Sequence, residues 1–293
     1  MMSLDKVAGA PISWGVCEVP GWGHQLAPER VLAEMGAIGL PATEMGSIGW
    51  LPGEQDALLP MLEPHGLRIL AGFVPLVLHD PTEREETIAA AKRSADSLAG
   101  AGASYFNSAA VTTWDWGPRQ PLDDAAWAHM GQMLDEVEVI VRAAGLEQVV
   151  HPHVDTVIET AEEIERFLDL GDHGIVFDTG HLAIGGVDLL DFVDRRADRI
   201  GLVHLKEVVM EVGRRLAAGE VTLFDAVREG VFPALGDGDL PIAESIRALR
   251  ERGYDGWYVL EQDCALTEGD PPLDGGPQID VRRSVDFLRS LDA

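Results

Sequence analysis

The feature that most constrains the fold is a regular alternation of short apolar runs with longer amphipathic segments along the 293 residues. Eight runs have the length and composition of β-strands, and helix-like segments separate them. Strands that alternate with helices along a chain form parallel sheets. The eight runs are residues 10–15, 42–46, 68–76, 104–110, 148–154, 174–180, 200–208 and 256–263.

The segments between the runs carry helical signals. Apolar residues within 127–141 recur at the spacing that places side chains on one face of a helix. Thr160 with Glu163, and Thr82 with Glu85, have the spacing of capping boxes at helix starts.

Eight strand–helix repeats in 293 residues match the size and order of an α/β (β/α)8 barrel, the TIM barrel. The alternative is a doubly wound sheet, but the sequence lacks the Gly-x-Gly-x-x-Gly motif after its first strand. No linker-like composition marks a domain boundary. We therefore predict a single barrel domain over residues 1–293, with an elaborated segment after strand seven at about residues 209–235.

Composition argues against several classes of partner. A formal charge of −28 repels nucleic acid and anionic lipid surfaces. No apolar run is long enough for a membrane span. Two cysteines without a spaced pattern suit a reducing compartment, so we expect a cytoplasmic protein that binds neither nucleic acid nor membranes.

Polar side chains gather at the ends of strands five to eight, where barrels of this kind carry their active sites. A single strand-end histidine is usually structural, and Asp178 alone could be a helix cap. The coincidence on four consecutive strands instead predicts one shared site. The residues concerned are His151 and His153, Asp178 and His181, His204 and Lys206, and Glu261 and Asp263.

Imidazoles combined with carboxylates suit a divalent transition-metal ion, whereas a cage of oxygens would suit Mg²⁺ or Ca²⁺ better. With open coordination positions, such an ion binds a ketone and a neighbouring hydroxyl and acidifies the adjacent C–H bond. The sequence therefore predicts a small-molecule keto-polyol or sugar as substrate. Trp14 is predicted to wall the pocket, Trp22 and Trp50 to pack in the core, and Asn107 and Glu44 to contact substrate.

Several motifs resemble those of the xylose-isomerase-like barrel superfamily of sugar isomerases and epimerases. They include "ATEMG", "HPHVDT", "FDTGHLAIGG", "DRIGLVHLKEV" and "GYDGWYVLEQD", in this order over most of the chain. Within the superfamily, the chain is most similar to the inosose dehydratases, which act on 2-keto-myo-inositol.

The resemblance implies roles for individual residues. Strands six, seven and eight supply metal ligands Asp178, His204 and Glu261, while His151 stands where the superfamily usually has a glutamate. That departure puts a two-glutamate epimerase mechanism in doubt. The implied catalytic residues are Glu261, His151, His153 and Lys206. Glu261 or His151 is the candidate base, His153 or His181 is the candidate acid, and His181 is also implied to contact substrate.

The implied reaction is metal-dependent dehydration of 2-keto-myo-inositol or a close analogue. Mn²⁺ or Co²⁺ is the expected ion, with Zn²⁺, Fe²⁺ and Mg²⁺ as alternatives, and a homodimer or homotetramer is the expected assembly. An isomerase or epimerase of ketoses would use the same site. Two more distant alternatives exist for the function. One is a DNA-repair endonuclease, which the charge of −28 opposes, and the other is a non-enzymatic sugar-binding protein.

Overall fold

The structure, a computed structural model, describes residues 4–19, 21–273 and 275–291. Eight parallel strands close into a barrel in chain order, and β8 pairs with β1, which confirms the predicted (β/α)8 fold. Residues 1–3, 20, 274, 292 and 293 of the predicted domain lie outside the described residues. The strands are Val7–Gly9 (β1), Ala42–Glu44 (β2), Arg68–Leu76 (β3), Tyr105–Ala110 (β4), Glu147–Val150 (β5), Gly174–Asp178 (β6), Ile200–Leu205 (β7) and Tyr258–Leu260 (β8).

Helices surround the barrel, and two of them, α8 and α9, lie in the segment predicted to be an elaboration after strand seven. None of the helices in the described part of the chain is long and apolar enough to cross a membrane. The helices are Pro28–Ile38 (α1), Gln55–Leu62 (α2), Arg84–Gly100 (α3), Asp124–Ala143 (α4), Ala161–Leu168 (α5), Thr179–Ile184 (α6), Leu189–Arg196 (α7), Met210–Ala217 (α8), Leu223–Arg228 (α9), Ile242–Glu251 (α10) and Pro277–Ser290 (α11).

The core has two layers. A large apolar cluster lies between the strands and the surrounding helices, and the predicted face of α4 is buried there. Small side chains such as Ala8, Ala42 and Ala71 form a separate buried cluster of strand residues with Val149 and Val176. This cluster fills the barrel interior, so polar side chains gather above it, where the strands end.

Six strands end earlier than predicted, and β1 lies entirely before its predicted run of residues 10–15. β2 and β6 each end two residues early, at Glu44 and Asp178. In β1 the chain leaves the sheet after Gly9, because Pro11 starts a 3-10 turn that runs to Trp14. Pro152 lacks a backbone N–H, and β5 ends two residues before it. β7 and β8 likewise end at Leu205 and Leu260. Several predicted site residues therefore stand at the start of loops rather than within strands.

The two predicted capping boxes have different outcomes. The hydroxyl of Thr160 accepts from the backbone N–H of Glu163, and the Glu163 carboxylate accepts from the N–H of Thr160, which confirms that box. The Thr82 box is wrong. Asp80 instead accepts from the N–H of Thr82, and α3 begins only at Arg84, after a 3-10 turn.

Candidate active site

The four residues predicted to be metal ligands converge at the carboxyl ends of the strands. Asp178 and His204 are register partners on β6 and β7, and both are fully buried. Asp178 Oδ2 lies 3.5 Å from His151 Nε2 and 3.8 Å from His204 Nδ1. His204 Nδ1 lies 2.9 Å from Glu261 Oε2. Side chains from four different strand ends therefore share one centre.

Asp178 acts both as a helix cap and as part of this centre. Its Oδ1 accepts hydrogen bonds from the backbone N–H groups of Gly180, at 2.8 Å, and His181, at 2.9 Å, at the start of α6. Its Oδ2 is buried and has no hydrogen-bond partner. One oxygen orients the carboxylate, and the other is available to a ligand.

The donor set fits a divalent cation. Both ring nitrogens of His151, Oδ2 of Asp178 and Nδ1 of His204 are buried without a hydrogen-bond partner. Such unpartnered atoms are costly unless a ligand satisfies them. Lys206 is the buried cation that faces the carboxylates of Asp178, Glu261 and Asp263. These carboxylates outnumber it, so a bound cation would compensate the remaining negative charge.

Glu44 lies against this centre from β2. Its Oε1 is 3.2 Å from His204 Nε2, on the opposite side of the ring from Glu261. Glu44, His204 and Glu261 form a second group with the spacing of metal ligands. Burial by itself lowers the pKa of His204, but the carboxylates of Glu261 and Glu44 raise it well above its ordinary value.

Lys206 connects the centre to a further acid. Its Nζ lies 2.6 Å from Asp263 Oδ1, 2.8 Å from Glu261 Oε1 and 3.0 Å from His181 Nε2. An ammonium has three N–H donors, so these three acceptors occupy all of them. These contacts make Lys206 a positioning group for the carboxylates, whereas the resemblance implied a catalytic residue.

The glycine within the sequence "DTGH" has a packing role here. A Cβ at Gly180 would lie 2.7 Å from Cγ of Lys206, closer than such contacts occur. The missing side chain lets the lysine stem pass close to the first turn of α6, so its ammonium reaches the acids.

His153 and His181 lie together, with ring centroids 3.7 Å apart. Nδ1 of His153 is 2.7 Å from the carbonyl oxygen of Val154. A carbonyl only accepts, so Nδ1 carries the proton and Nε2 has a free lone pair. Burial, reinforced by His151, lowers the pKa of His153 to about 3, and burial with His153 lowers the pKa of His181 well below its ordinary value.

A cavity of about 550 Å³ opens above these groups. Aromatic rings form its walls: Phe73 stacks on Trp116 with centroids 6.2 Å apart, and Trp22 meets Phe224 edge-on at 5.8 Å. Trp116 has a φ of 58°, a conformation that is costly for a residue with a side chain. Phe224 belongs to α9, so the elaborated segment contributes to the mouth of the cavity.

Two predicted substrate contacts lie elsewhere. Trp14 is fully buried, its Nε1 donates to Glu34 Oε2 at 2.7 Å, and the ring does not line the cavity, which corrects its predicted role. Trp22 is buried in a hydrophobic cluster, as predicted, and it also lines the cavity. Asn107 is fully buried beside Phe73 on β4, and its amide has no hydrogen-bond partner.

The charge of the cavity wall restricts its ligands. Arg119 lines the wall, but its Nη2 lies 2.5 Å from Glu163 Oε2 and its Nε lies 3.1 Å from Glu159 Oε2. Its charge is therefore already compensated. Five acids line the same cavity: Glu18, Glu44, Asp155, Glu261 and Asp263. A neutral polyol suits this surface, whereas a phosphorylated or carboxylated sugar would be repelled.

Sequence reasoning missed several cavity residues. Trp116, Arg119 and Phe224 lie on loops or on the added helix, where no strand alternation signals their direction. Asp263 stands two positions after Glu261, and this spacing predicts that it shares the site without indicating a role for it.

Comparison with known proteins agrees with the fold. Residues 30–291 match the model of the xylose isomerase-like TIM barrel family. The chain is 32% identical to an inosose dehydratase of Geobacillus kaustophilus, with 89% of each chain covered. It is 31% identical to the rhizopine catabolism protein MocC of Rhizobium meliloti, covering 92% of this chain and 85% of the relative.

Solved structures share the architecture. The IOLI protein with a bound zinc atom superposes with a TM-score of 0.71 at 15% identity, over 97% of this chain and 96% of that chain. D-psicose 3-epimerase from Clostridium cellulolyticum H10 superposes with a TM-score of 0.72 at 16% identity, over 98% and 99%. From the family match and the identity to curated relatives, the chain belongs to the xylose isomerase-like TIM barrel family.

Proposed function

We propose that this protein is a metal-dependent lyase that removes water from 2-keto-myo-inositol or a close cyclic keto-polyol. The observation that carries the proposal is the convergence of His151, Asp178, His204 and Glu261 beneath a cavity suited to a neutral polyol. Relatives that are themselves inosose dehydratases, at up to 32% identity, support the choice of reaction.

His151, Asp178, His204 and Glu261 would hold the divalent ion, with Glu44 fixing the His204 ring from its other side. Mixed nitrogen and oxygen donors favour Mn²⁺ or Co²⁺ over Mg²⁺. When bound, such an ion polarises a ketone and makes the neighbouring C–H bond more acidic.

The side chains around the centre supply the proton transfers. His153 lines the cavity, and its Nδ1 donates to Val154, which leaves the Nε2 lone pair free. It therefore serves, in this proposal, as the base that takes the proton from the carbon beside the ketone, rather than as the acid that the resemblance implied. Asp263 lines the same cavity, and its burial raises its pKa to about 6, so it retains a proton in a fraction of molecules near neutral pH.

In the proposed reaction the C–H electron pair forms a C=C bond, and the C–O bond of the next carbon breaks. Asp263 protonates the departing hydroxyl, which leaves as water. The carbon that lost its proton carries a hydroxyl, so the product is the enol of a dione. Lys206 holds Asp263 and Glu261 in place during these steps.

Direct assay tests the reaction. Incubation of the metal-loaded protein with 2-keto-myo-inositol should produce the ultraviolet absorption of an enone or dione, together with one equivalent of water-eliminated product by mass spectrometry. The matched His204→Ala protein, with fewer metal ligands, should show neither change. Absence of the chromophore combined with C3 epimerisation of free ketoses would replace the dehydratase with an epimerase.

His153→Gln should lower kcat by about 100- to 10,000-fold, because it removes the proposed base. The amide retains a hydrogen-bonding group of similar reach, and metal content should stay at the wild-type level. Steady-state kinetics and metal analysis of the same preparation measure both effects. His79→Gln is the matched control, since His79 lies outside the cavity lining and should leave kcat unchanged. Wild-type turnover in His153→Gln would exclude His153 as the base.

A further inference from the structure

A second group with the spacing of metal ligands lies at the opposite end of the barrel from the candidate active site. It consists of Asp135 and Glu138 on α4 and His173, which immediately precedes β6. The two acids are three residues apart on the helix, so they are neighbours on one face. One donor atom from each of the three residues lies within 4.8 Å of the others.

His173 is unlike an ordinary surface histidine. The residue is only 5% exposed, and its ring stacks on Phe167 with centroids 6.3 Å apart. Its backbone carbonyl accepts from Arg199 Nε at 3.1 Å and Nη2 at 2.8 Å, so the segment is anchored. Nevertheless, its Nε2 is buried without a hydrogen-bond partner and points toward Asp135.

The distances favour a shared ion over direct hydrogen bonds. His173 Nε2 lies 3.5 Å from Asp135 Oδ1, and Nδ1 lies 3.5 Å from Glu138 Oε2. These separations exceed the 2.7–3.2 Å range of N–H···O hydrogen bonds. For an ion on Nε2, the separation from Asp135 Oδ1 matches the distance of about 3.3–3.5 Å between two ligands of a tetrahedral zinc ion with bonds near 2.0–2.1 Å. Glu138 Oε2 faces the other ring nitrogen, but one donor atom from each of the three residues lies within 4.8 Å of the others, so a turn of the Glu138 carboxylate brings it to the same ion.

The acids are also free to turn toward such an ion. Glu138 uses Oε1 for its ion pair with Arg142, so Oε2 remains on the side of His173. The Asp135 side chain is 74% exposed, so solvent surrounds most of it.

We propose that Asp135, Glu138 and His173 bind a second divalent transition-metal ion, which links α4 to the segment before β6. His173 Nε2 and the two carboxylates are the ligands, and water completes the coordination on the exposed side. The proposed role is structural, since the group lies at the amino-terminal ends of the strands. It does not depend on the proposed dehydratase reaction.

Zinc counting tests this site in the full-length protein. After equilibrium dialysis against micromolar Zn²⁺, wild type should hold two ions per chain by atomic emission, and Asp135→Asn and His173→Gln should each hold one. Asp135→Asn changes an exposed side chain, so its result stands even where His173→Gln folds poorly. Dehydration of 2-keto-myo-inositol by Asp135→Asn should remain within twofold of wild type.

Three further variants assign the lost ion to this site. Glu136→Gln, on the same helix but paired with Arg84, should still hold two ions. His204→Ala should hold one ion, and His204→Ala combined with Asp135→Asn should hold none, whatever substrate the protein uses. One ion per chain in wild type, or unchanged zinc content in both Asp135→Asn and His173→Gln, would overturn the proposal.

Discussion

Asp178→Asn should abolish metal retention and lower turnover by more than about 100-fold while the barrel stays folded. The amide can keep its oxygen on the N–H groups of Gly180 and His181, so the cap on α6 survives. Its NH2 group, however, replaces the unpartnered Oδ2 and has no lone pair to offer an ion. Outer-shell changes alone reduce metal affinity or activity about 10- to 100-fold, and loss of a charged ligand should exceed that.

Metal analysis after dialysis, thermal unfolding and turnover together measure this prediction. Asp188→Asn is the matched control, because Asp188 caps α7 in the same way, accepting from Leu190 and Asp191 at 3.0 Å, but stands outside the centre. It should cost only the small free energy of a perturbed cap and leave turnover intact. Full metal occupancy and activity in Asp178→Asn would show that this carboxylate only caps the helix.

Lys206→Met should lower the free energy of unfolding by about 3–5 kcal/mol at neutral pH. Methionine matches the length of the buried stem but leaves Glu261 and Asp263 without their shared ammonium. Burial has already raised the pKa of Asp263 to about 6. A carboxyl whose pKa is raised in the folded protein destabilises the fold as pH rises through that value. The loss of unfolding free energy in Lys206→Met relative to wild type should therefore be smaller at acidic pH.

Urea unfolding at several pH values measures the effect. Combining Lys206→Met with Asp263→Asn should recover part of the lost stability, since one unpaired charge is then removed as well. Lys92→Met is the control at an exposed lysine and should stay within about 0.5 kcal/mol of wild type. A wild-type free energy of unfolding in Lys206→Met at pH 7 would contradict the role of Lys206 in charge compensation.

Local patterns in the sequence were enough for the architecture and for the positions of the ligands. Apolar runs and helical periodicity depend on neighbouring residues, so the eight repeats predicted a closed barrel without any knowledge of distant contacts. Because active sites of such barrels lie at the carboxyl ends of the strands, the positions of Asp178 and His204 within the chain already placed them in one site.

The tertiary structure determines which of those side chains contact one another. Glu44 meets His204 across 160 positions of sequence, and Lys206 donates to acceptors on two other segments, α6 and the segment after β8. The aromatic wall likewise comes from Trp116 and Phe224, which lie on a loop and on an added helix. Loops have no periodicity, and distances between strand ends depend on how the barrel closes. The sequence by itself therefore determined the fold and which strand ends carry the candidate metal ligands, whereas the pairing of charges and the shape of the cavity required the closed barrel.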